Sequence, residues 1–333
     1  MGENRHTPYD LAQMQSVPLA GKILMTKRRI REWYENWDGQ VYVSFSGGKD
    51  STVLKHIVDS MYSDVPALFV NTGLEYPEIQ TFVKQIKAGK FGCFNSDVEI
   101  VRPEIRFDEV IKKYGYPVIS KEVATRIYYA KKGSDWAIKC MGGFNQDGSE
   151  SKFNQRFKKY EFLMDSPIPI SQKCCTVLKK NPAKHYEKET GRKPILGTMA
   201  CESFIRKTQW MKVGCNAFDG KQPRSAPMSF WTEQDVLEYI RLFNVPYCSV
   251  YGDIIDTPNG LKTTGCDRTG CIFCMFGCHL EKEPNRFQRL KQTHPRQYDY
   301  CINGGEMVDG KWKPNKEGLG LGHVLDYIGV KYE

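Results

Sequence analysis

The residues with the clearest capacity for chemistry form a short run between an apolar stretch and a helix-like one. The run follows Val41-Tyr42-Val43 and consists of Ser44, Phe45, Ser46, Gly47, Gly48, Lys49, Asp50 and Ser51. Its two glycines let backbone N–H groups approach an anion closely, and the start of the next helix adds a positive dipole end. Lys49 supplies a mobile cation, and the serines supply hydroxyl donors. The pattern predicts a phosphate-binding loop.

This run is not a Walker A loop, which requires Gly, four residues and then Gly-Lys-Ser/Thr. Position 43 is Val, and Asp50 follows the lysine. The residues instead resemble the pyrophosphate loop, Ser-Gly-Gly-x-Asp-Ser, of the ATP pyrophosphatase family. The resemblance implies that the loop grips the β- and γ-phosphates of ATP, with Lys49 and Asp50 catalytic and Asp50 acting through Mg²⁺. The alternative is an ordinary Gly-Gly turn between a strand and a helix.

Alternating strand and helix patterns surround the loop. The strand candidates are 41–45, 67–71 and 98–101, and the helix candidates are 23–37, 51–62, 77–88 and a segment from about 107. Such alternation favours a parallel sheet with right-handed crossovers, in which ligands bind beyond the carboxyl ends of the strands. We therefore predict an α/β, doubly wound, mostly parallel sheet. At its ligand-binding edge, Asn71, Thr72 and Gly73 are placed to meet the adenosine of a nucleotide.

The cysteines form the second constellation. Cys174 and Cys175 are adjacent, and four more cysteines lie within thirteen residues downstream: Cys266, Cys271, Cys274 and Cys278. In a reducing compartment such a group indicates metal ligation rather than disulfides. Four thiolates suit either a closed tetrahedral zinc site or a [4Fe–4S] cluster, and spacing alone does not separate the two.

An adjacent Cys-Cys pair, a distant Cys-x-x-Cys and a pyrophosphate-type loop together resemble the sulfonucleotide reductase superfamily, the phosphoadenylyl-sulfate and adenylyl-sulfate reductases. The likeness extends to Gly197, to Glu202-Ser203 with Arg206, and to the Trp231-Thr232 helix start. It implies an adenine nucleotide alpha-hydrolase-like fold and nucleotide contacts by Gly197 and Arg206. In the iron–sulfur members four cysteines hold a [4Fe–4S] cluster, and the matching residues here are Cys174, Cys175, Cys271 and Cys274. Cys266 and Cys278 are alternates, and zinc is the second choice of metal.

Two departures from that family direct the functional hypothesis. Most of its members do not keep the complete Gly-Gly-x-Asp-Ser motif, since their substrate has no γ-phosphate. The motif is complete here. They also carry a catalytic cysteine in a Glu-Cys-Gly-type motif on the carboxyl-terminal tail, and no cysteine follows Cys301. Both point to an ATP-dependent, AMP-forming sulfurtransferase, similar to those of DNA phosphorothioation and tRNA thiolation. A reductase that uses Cys301 as its nucleophile, and a nucleic-acid-binding subunit with structural sites, are the alternatives.

Composition sets the remaining expectations. The 333 residues are 40% apolar and 26% charged, with a formal net charge of +9, which favours anionic partners. We expect a cytoplasmic homo-oligomer with no membrane segment, a cysteine desulfurase as sulfur donor, and DNA or tRNA as a possible acceptor. The predicted parts are an arm (1–22), a nucleotide-binding domain (23–250) with a basic insertion (115–173), and a cysteine-rich, mainly helical region (251–333) that completes the metal site.

Overall fold

A computed structural model describes residues 4–220 and 222–333, so the first three residues of the predicted arm lie outside the described residues. The helices are α1 Pro8–Ser16, α2 Leu19–Asn36, α3 Lys49–Asp59, α4 Pro77–Lys87, α5 Phe107–Tyr114, α6 Lys121–Ala130, α7 Asp135–Met141, α8 Gln155–Lys158, α9 Lys173–Cys175, α10 Asn181–Thr190, α11 Phe204–Val213, α12 Glu233–Leu242, α13 Arg286–Thr293, α14 Pro295–Ile302 and α15 Leu321–Tyr327. The strands are β1 Val41–Ser44, β2 Ala67–Val70, β3 Val98–Val101, β4 Val118–Ile119, β5 Lys193–Leu196, β6 Asn216–Ala217, β7 Arg224–Ser225, β8 Ile254–Thr257, β9 Gly260–Thr263, β10 Met275–Phe276, β11 Glu306–Val308 and β12 Lys311–Lys313.

The chain forms two compact units. The first contains residues 1–71, 75–102 and 182–269, and the second contains 72–74, 103–181 and 270–333. The domains predicted from the sequence are continuous, 23–250 and 251–333. That division stays a prediction.

A six-stranded sheet organises the first unit, in the order β3-β2-β1-β5-β7-β6. All its pairs are parallel except β6 with β7. The chain runs outward from β1 through β2 to β3 and later returns to place β5 on the other side of β1. The strand order therefore reverses between β1 and β5, which is where sheets of this class bind ligands. The predicted α/β class with a mostly parallel sheet is confirmed.

Helix α2 packs against this sheet and is longer than predicted. Ile30 and Trp33 are fully buried, as its apolar periodicity requires. The helix begins at Leu19, directly after Pro18, rather than at residue 23, and Lys22 within it is buried. Its ammonium lies 2.8 and 2.7 Å from the two carboxylate oxygens of Asp235, and both residues are buried. A paired charge can occupy the core where an unpaired one could not.

The second unit is mainly helical. Its short strands β4 and β10 pair in parallel, and the Ser120 hydroxyl caps α6 by accepting from the Val123 N–H at 3.1 Å. Helix α9 continues into a π-helical segment, Thr176–Lys180. Such segments are rare and occur often at functional sites. Across residues 4–220 and 222–333, no helix combines the length and the apolar character that a bilayer crossing requires.

Candidate functional site: a phosphate-binding loop and a cysteine cavity

The loop of the first unit connects the carboxyl end of β1 to the amino end of α3. Helix α3 begins at Lys49, two residues earlier than predicted, so Lys49 and Asp50 lie in its first turn. Gly47 has φ +72°, and a Cβ there would lie 2.8 Å from Ile79 Cγ2. Both the backbone conformation and the available space therefore require glycine at this position.

Hydroxyl groups accept hydrogen bonds from the loop N–H groups in this structure. The Ser46 N–H donates to Ser51 Oγ at 3.2 Å, and the Lys49 N–H donates to the Tyr251 hydroxyl at 3.1 Å. The Tyr251 hydroxyl is also 2.7 Å from Thr269 Oγ1. These donors belong to a helix amino terminus, whose dipole favours an anion. Phosphate oxygens could accept from the same N–H groups.

Three cationic side chains line an open cleft of about 280 Å³ beside the loop. Lys49 is 4% exposed, and its ammonium donates to the Asp267 carbonyl at 2.6 Å and pairs with Glu233 at 3.1 Å. The other two are Arg206 and Arg268, which both form ion pairs with Glu202. One carboxylate thereby holds two guanidinium groups at the cleft. These three cations are the side chains of the cleft that could meet a polyphosphate.

Asp50 lies among these cations with an unusual environment for a carboxyl. Burial raises its pKa, against the lowering effect of Lys49 and Arg268. Its Oδ1 atom is buried and has no hydrogen-bond partner. A buried acceptor without a partner costs free energy in the folded protein. The charged form of Asp50 therefore costs stability in the folded protein.

We expect Asp50→Asn to stabilise the protein in the absence of ligand. Because the folded pKa lies above the unfolded one, the charged carboxyl destabilises the fold above the folded pKa, and that cost disappears as the pH falls below about 3.9. The neutral isostere should raise the Tm by a few degrees at pH 7 and by less toward pH 4, measured by calorimetry. Asp97→Asn, at an exposed carboxyl of the same unit, is the control. An unchanged or lower Tm at pH 7 would contradict this account.

Gly197 follows β5 and brings that strand end against the loop. A Cβ at this position would lie 3.1 Å from Ser51 Cα and 3.2 Å from the Asp50 carbonyl oxygen. Both neighbours are backbone atoms, so the loop itself would have to shift. Gly197 therefore sets the close approach of β5 and α3 where the strand order reverses.

Gly197→Ala should weaken binding of inorganic pyrophosphate by about tenfold to a hundredfold, because a small displacement of a positioning loop is costly. Isothermal titration calorimetry measures the change. Gly92→Ala is the matched control, since Gly92 is exposed and a Cβ there meets no atom within 4 Å. Equal affinities for the two variants would show that the approach of Gly197 does not hold the loop.

Most of the predicted nucleotide contacts lie together in the first unit. The cleft is lined by Ser44, Ser46, Gly48, Lys49, Asp50, Ser51, Gly197 and Arg206. Phe45 instead faces the core, and Gly47 packs on α4. Asn71 directly follows β2, with its N–H donating to the Val101 carbonyl, and Thr72 and Gly73 belong to the second unit. Contact between a nucleotide and Asn71, Thr72 or Gly73 stays a prediction.

The second unit brings two distant cysteine pairs to one cavity. Cys174, Cys175, Cys271 and Cys274 line a small cavity of about 20 Å³ whose other walls are mainly apolar. Those walls are Leu74, Phe107, Pro117, Leu178 and Lys179. Nearly one hundred residues separate the pairs in the chain, so the fold and not local sequence assembles this set.

The adjacent cysteines differ in acidity. The Cys174 thiol donates a hydrogen bond to Cys175, and Lys121, Lys179 and Lys180 add positive charge, so the pKa of Cys175 falls to about 6 although burial opposes it. The same hydrogen bond and burial raise the pKa of Cys174. Burial also raises the pKa of Cys274. The hydrogen bond between the adjacent cysteines therefore favours the thiolate form of Cys175 and the thiol form of Cys174.

The two alternate cysteines lie elsewhere. Cys266 belongs to the first unit. The buried Cys278 thiol donates to the Met275 carbonyl at 3.1 Å, and burial raises its pKa to about 12. Among residues 4–220 and 222–333, no three Cys, His, Asp or Glu side chains are placed so that they could hold a metal ion. Ligation by the four cavity cysteines stays a prediction.

Comparison of this sequence with known protein families identifies the family of the chain. The family model described as "Phosphoadenosine phosphosulfate reductase domain" matches residues 40–128 and 138–276. The chain belongs to this family. It is therefore sulfonucleotide reductase-like, and the matched residues include the loop, Gly197 and all four cavity cysteines.

Two curated relatives of this family member are uncharacterized proteins of Methanocaldococcus jannaschii. One is 26% identical over 282 residues, covering 82% of this chain and 50% of the relative, and the other is 23% identical over 279 residues, covering 82% and 43%. The chain thus spans about half the length of the curated relatives it matches. A solved relative is the phosphate complex of phosphoadenylyl-sulfate reductase from Candida auris, with 14% identity, a TM-score of 0.39 and coverage of 74% of this chain and 92% of that chain.

Several cleft residues were not predicted from the sequence. Arg268 and Thr269 immediately precede the cysteine group, in a region assigned to the metal site alone. The run Asp267-Arg268-Thr269-Gly270 carries a cation, a hydroxyl and a glycine, which is a recognisable signal for anion binding. Tyr251 gave no such signal. A tyrosine two hundred residues from the loop is indistinguishable in sequence from a core aromatic.

Proposed function

We propose that this family member binds MgATP at the loop of its first unit and transfers AMP to an acceptor oxygen. The outer sulfur of a persulfide then bonds to the acceptor while AMP leaves with that oxygen, and a second thiol cleaves the resulting disulfide to leave the sulfur on the acceptor. The observation that carries the proposal is the intact Ser-Gly-Gly-Lys-Asp-Ser loop at a cleft with three cations, Lys49, Arg206 and Arg268. A triphosphate needs more positive charge and more N–H donors than a nucleotide without a γ-phosphate. Family membership supports chemistry on an adenine nucleotide with sulfur.

The first step is displacement at the α-phosphorus. An acceptor oxygen forms a bond to this phosphorus, and the bond to the β-phosphate oxygen breaks, so pyrophosphate leaves with the electron pair. Lys49 and the amino terminus of α3 stabilise the charge that develops on the leaving group. Fixed donors of this kind usually supply the largest part of catalysis in phosphoryl chemistry.

Mg²⁺ would enter with ATP and meet Asp50. The buried Oδ1 atom without a partner fits this role, since carboxylate oxygen is a preferred Mg²⁺ ligand. The metal would also offset the cost of keeping this carboxyl charged. Asp50 then acts by holding the triphosphate in place.

A [4Fe–4S] cluster is our proposal for the cysteine cavity, held by Cys174, Cys175, Cys271 and Cys274. Four thiols on one mainly apolar cavity fit such a cluster in donor chemistry, and the low pKa of Cys175 favours a ligating thiolate. When bound, a cluster supplies electron transfer or sulfide delivery. Zinc remains the second candidate, because it takes the same donors.

The sulfur donor and acceptor complete the proposal. We propose a cysteine desulfurase as donor and DNA or tRNA as acceptor. Homo-oligomer formation and a cytoplasmic location stay predictions.

A sulfonucleotide reductase that forms sulfite is the second candidate, favoured by the family match itself. That reaction needs a thiol nucleophile, and the sequence offered Cys301 for this role. Cys301 is fully buried in α14, and burial raises its pKa well above the ordinary value. A buried neutral thiol is a poor nucleophile.

Ligand preference separates the two candidates. We would titrate the anaerobically purified chain by calorimetry with MgATP and with 3′-phosphoadenylyl sulfate, and assay pyrophosphate release with tRNA or DNA as acceptor and sulfite formation with a dithiol reductant. The proposal predicts tighter binding of MgATP, pyrophosphate release and no sulfite. Sulfite formation without pyrophosphate release would establish the reductase instead.

A further inference from the structure

Five side chains of the second unit form an alternating stack of rings and guanidinium groups. The Arg126 guanidinium lies 5.7 Å from the Trp136 ring and 4.1 Å from the Phe157 ring. The Arg156 guanidinium lies 4.7 Å from Phe157 and 3.8 Å from Phe153. All four distances are within the range of cation–π attraction. We call this set, in the order Trp136, Arg126, Phe157, Arg156 and Phe153, the aromatic–arginine stack.

The stack is buried at its centre and open at its ends. Phe157 is 2% exposed, whereas Phe153 is 59% and Trp136 is 38% exposed. Two further rings of this region, Tyr129 and Phe144, are 40% and 38% exposed. Scattered exposed apolar residues are normal, but a set of rings ordered by arginines is not a random scatter. Parts of these aromatic rings are therefore accessible to solvent.

Positive charge accompanies these rings. Residues 121–180 contain twelve Lys or Arg and six Asp or Glu, so they carry six of the nine net positive charges of the chain. Glu122 lies 3.1 Å from Arg126 and 2.9 Å from Arg156, which fixes both guanidinium groups in the stack. Lys158 and Lys159, beside Arg156, are exposed. The surface thus combines oriented planar groups with unneutralised cations.

We propose that the aromatic–arginine stack binds an unpaired nucleic-acid strand. Bases stack on the open faces of Phe153 and Trp136, and phosphates meet the surrounding lysines, which is how proteins bind single strands without sequence preference. A duplex hides the faces of its bases inside its own stack, and an acidic protein surface offers no succession of planar groups. Aromatic rings and cations do not distinguish ribose from deoxyribose, so single strands of RNA and of DNA should both bind. This proposal stands on the surface alone and does not rest on the proposed chemistry at the loop.

Binding of fluorescent oligonucleotides to the full chain tests the proposal. The probes are one mixed-sequence strand as RNA, the same strand as DNA, and its DNA duplex, with fluorescence anisotropy as the readout and no ATP present. Both single strands should bind at least tenfold more tightly than the duplex. The logarithm of the affinity should fall with that of salt by a slope of about −0.7 for each phosphate contact. Equal or tighter binding of the duplex, or no binding, overturns the proposal.

Variants locate the binding surface. Phe153→Ala and Trp136→Ala should each weaken single-strand binding by about fivefold to tenfold. Phe204→Ala is the matched control, an exposed phenylalanine of the first unit that should bind as the unchanged chain does. Lys158→Gln, a surface change that does not threaten folding, should lower the salt slope by about 0.7. Unaltered affinity and slope in all three stack-region variants would overturn the proposal, and an unchanged MgATP affinity keeps this result separate from the proposed function.

Discussion

Replacing Lys49 with alanine is expected to reduce pyrophosphate release from ATP by at least about a hundredfold. Its ammonium is buried at the start of α3 and has two oxygen partners within 3.1 Å, so it is held in place before the ligand arrives. Because this cation is already in position, it stabilises the charge on the leaving group without a free-energy cost of reorientation. The measurement is the initial rate of pyrophosphate formation with MgATP and the acceptor that supports release.

Lys90→Ala is the matched control for that variant. Lys90 is an exposed lysine of the same unit, so its removal changes the net charge equally and should leave the rate within about twofold. A melting curve checks that Lys49→Ala is folded, since the variant leaves the half-exposed Glu233 without its ion pair. Release at the unchanged rate would remove Lys49 from the mechanism and would leave the cleft without its best-placed cation.

The fold of the first unit was accessible to sequence reasoning because its signals are local. Alternating strands and helices predicted the parallel sheet, and the helix start noted at Trp231-Thr232 is confirmed, with Thr232 and Asp235 forming a capping box. Helix ends were less accurate. Helix α2 begins at Leu19 rather than at residue 23, and its Lys22 is buried against Asp235. A pairing across more than two hundred residues has no signature in a short window of sequence.

The candidate site also has a part that local sequence predicted and a part that only the tertiary structure shows. The loop from Ser44 to Ser51 is contiguous, so its residue types indicated a phosphate site before any fold was known. Arg268 and Thr269 reach the same cleft only through tertiary structure. Glu202 illustrates the limit best: its position was noted by resemblance, but its role as the common partner of two arginines depends on side-chain placement.

The cysteine site was predicted from the sequence only in part. Their number and clustering indicated a metal site, and resemblance selected Cys174, Cys175, Cys271 and Cys274 over Cys266 and Cys278. The structure brings those four to one cavity, while Cys266 lies in the first unit and Cys278 donates to a carbonyl. Spacing alone does not distinguish the cavity cysteines from Cys278, because only three residues separate Cys274 from Cys278.

Loss of one cavity cysteine should therefore abolish the proposed cluster. Anaerobically purified or reconstituted chain is expected to hold about four iron atoms and to absorb broadly near about 400 nm. Cys175→Ala and Cys274→Ala should each reduce iron to below about one atom per chain, because a cluster with three thiolate ligands is labile. The measurements are metal analysis and the visible spectrum.

Cys266→Ala and Cys278→Ala are the controls, since each removes a thiol of the same sequence group that lies outside the cavity lining. Both should retain iron and absorbance. About one zinc atom per chain with no visible band would assign the cavity to zinc and refute the cluster. Full iron in the Cys175→Ala and Cys274→Ala variants, or loss of iron in the two controls, would show that the resemblance selected the wrong thiols. The hydrogen bond from Cys174 lowers the pKa of Cys175, so Cys175 is the thiol of the adjacent pair that loses its proton more readily for ligation.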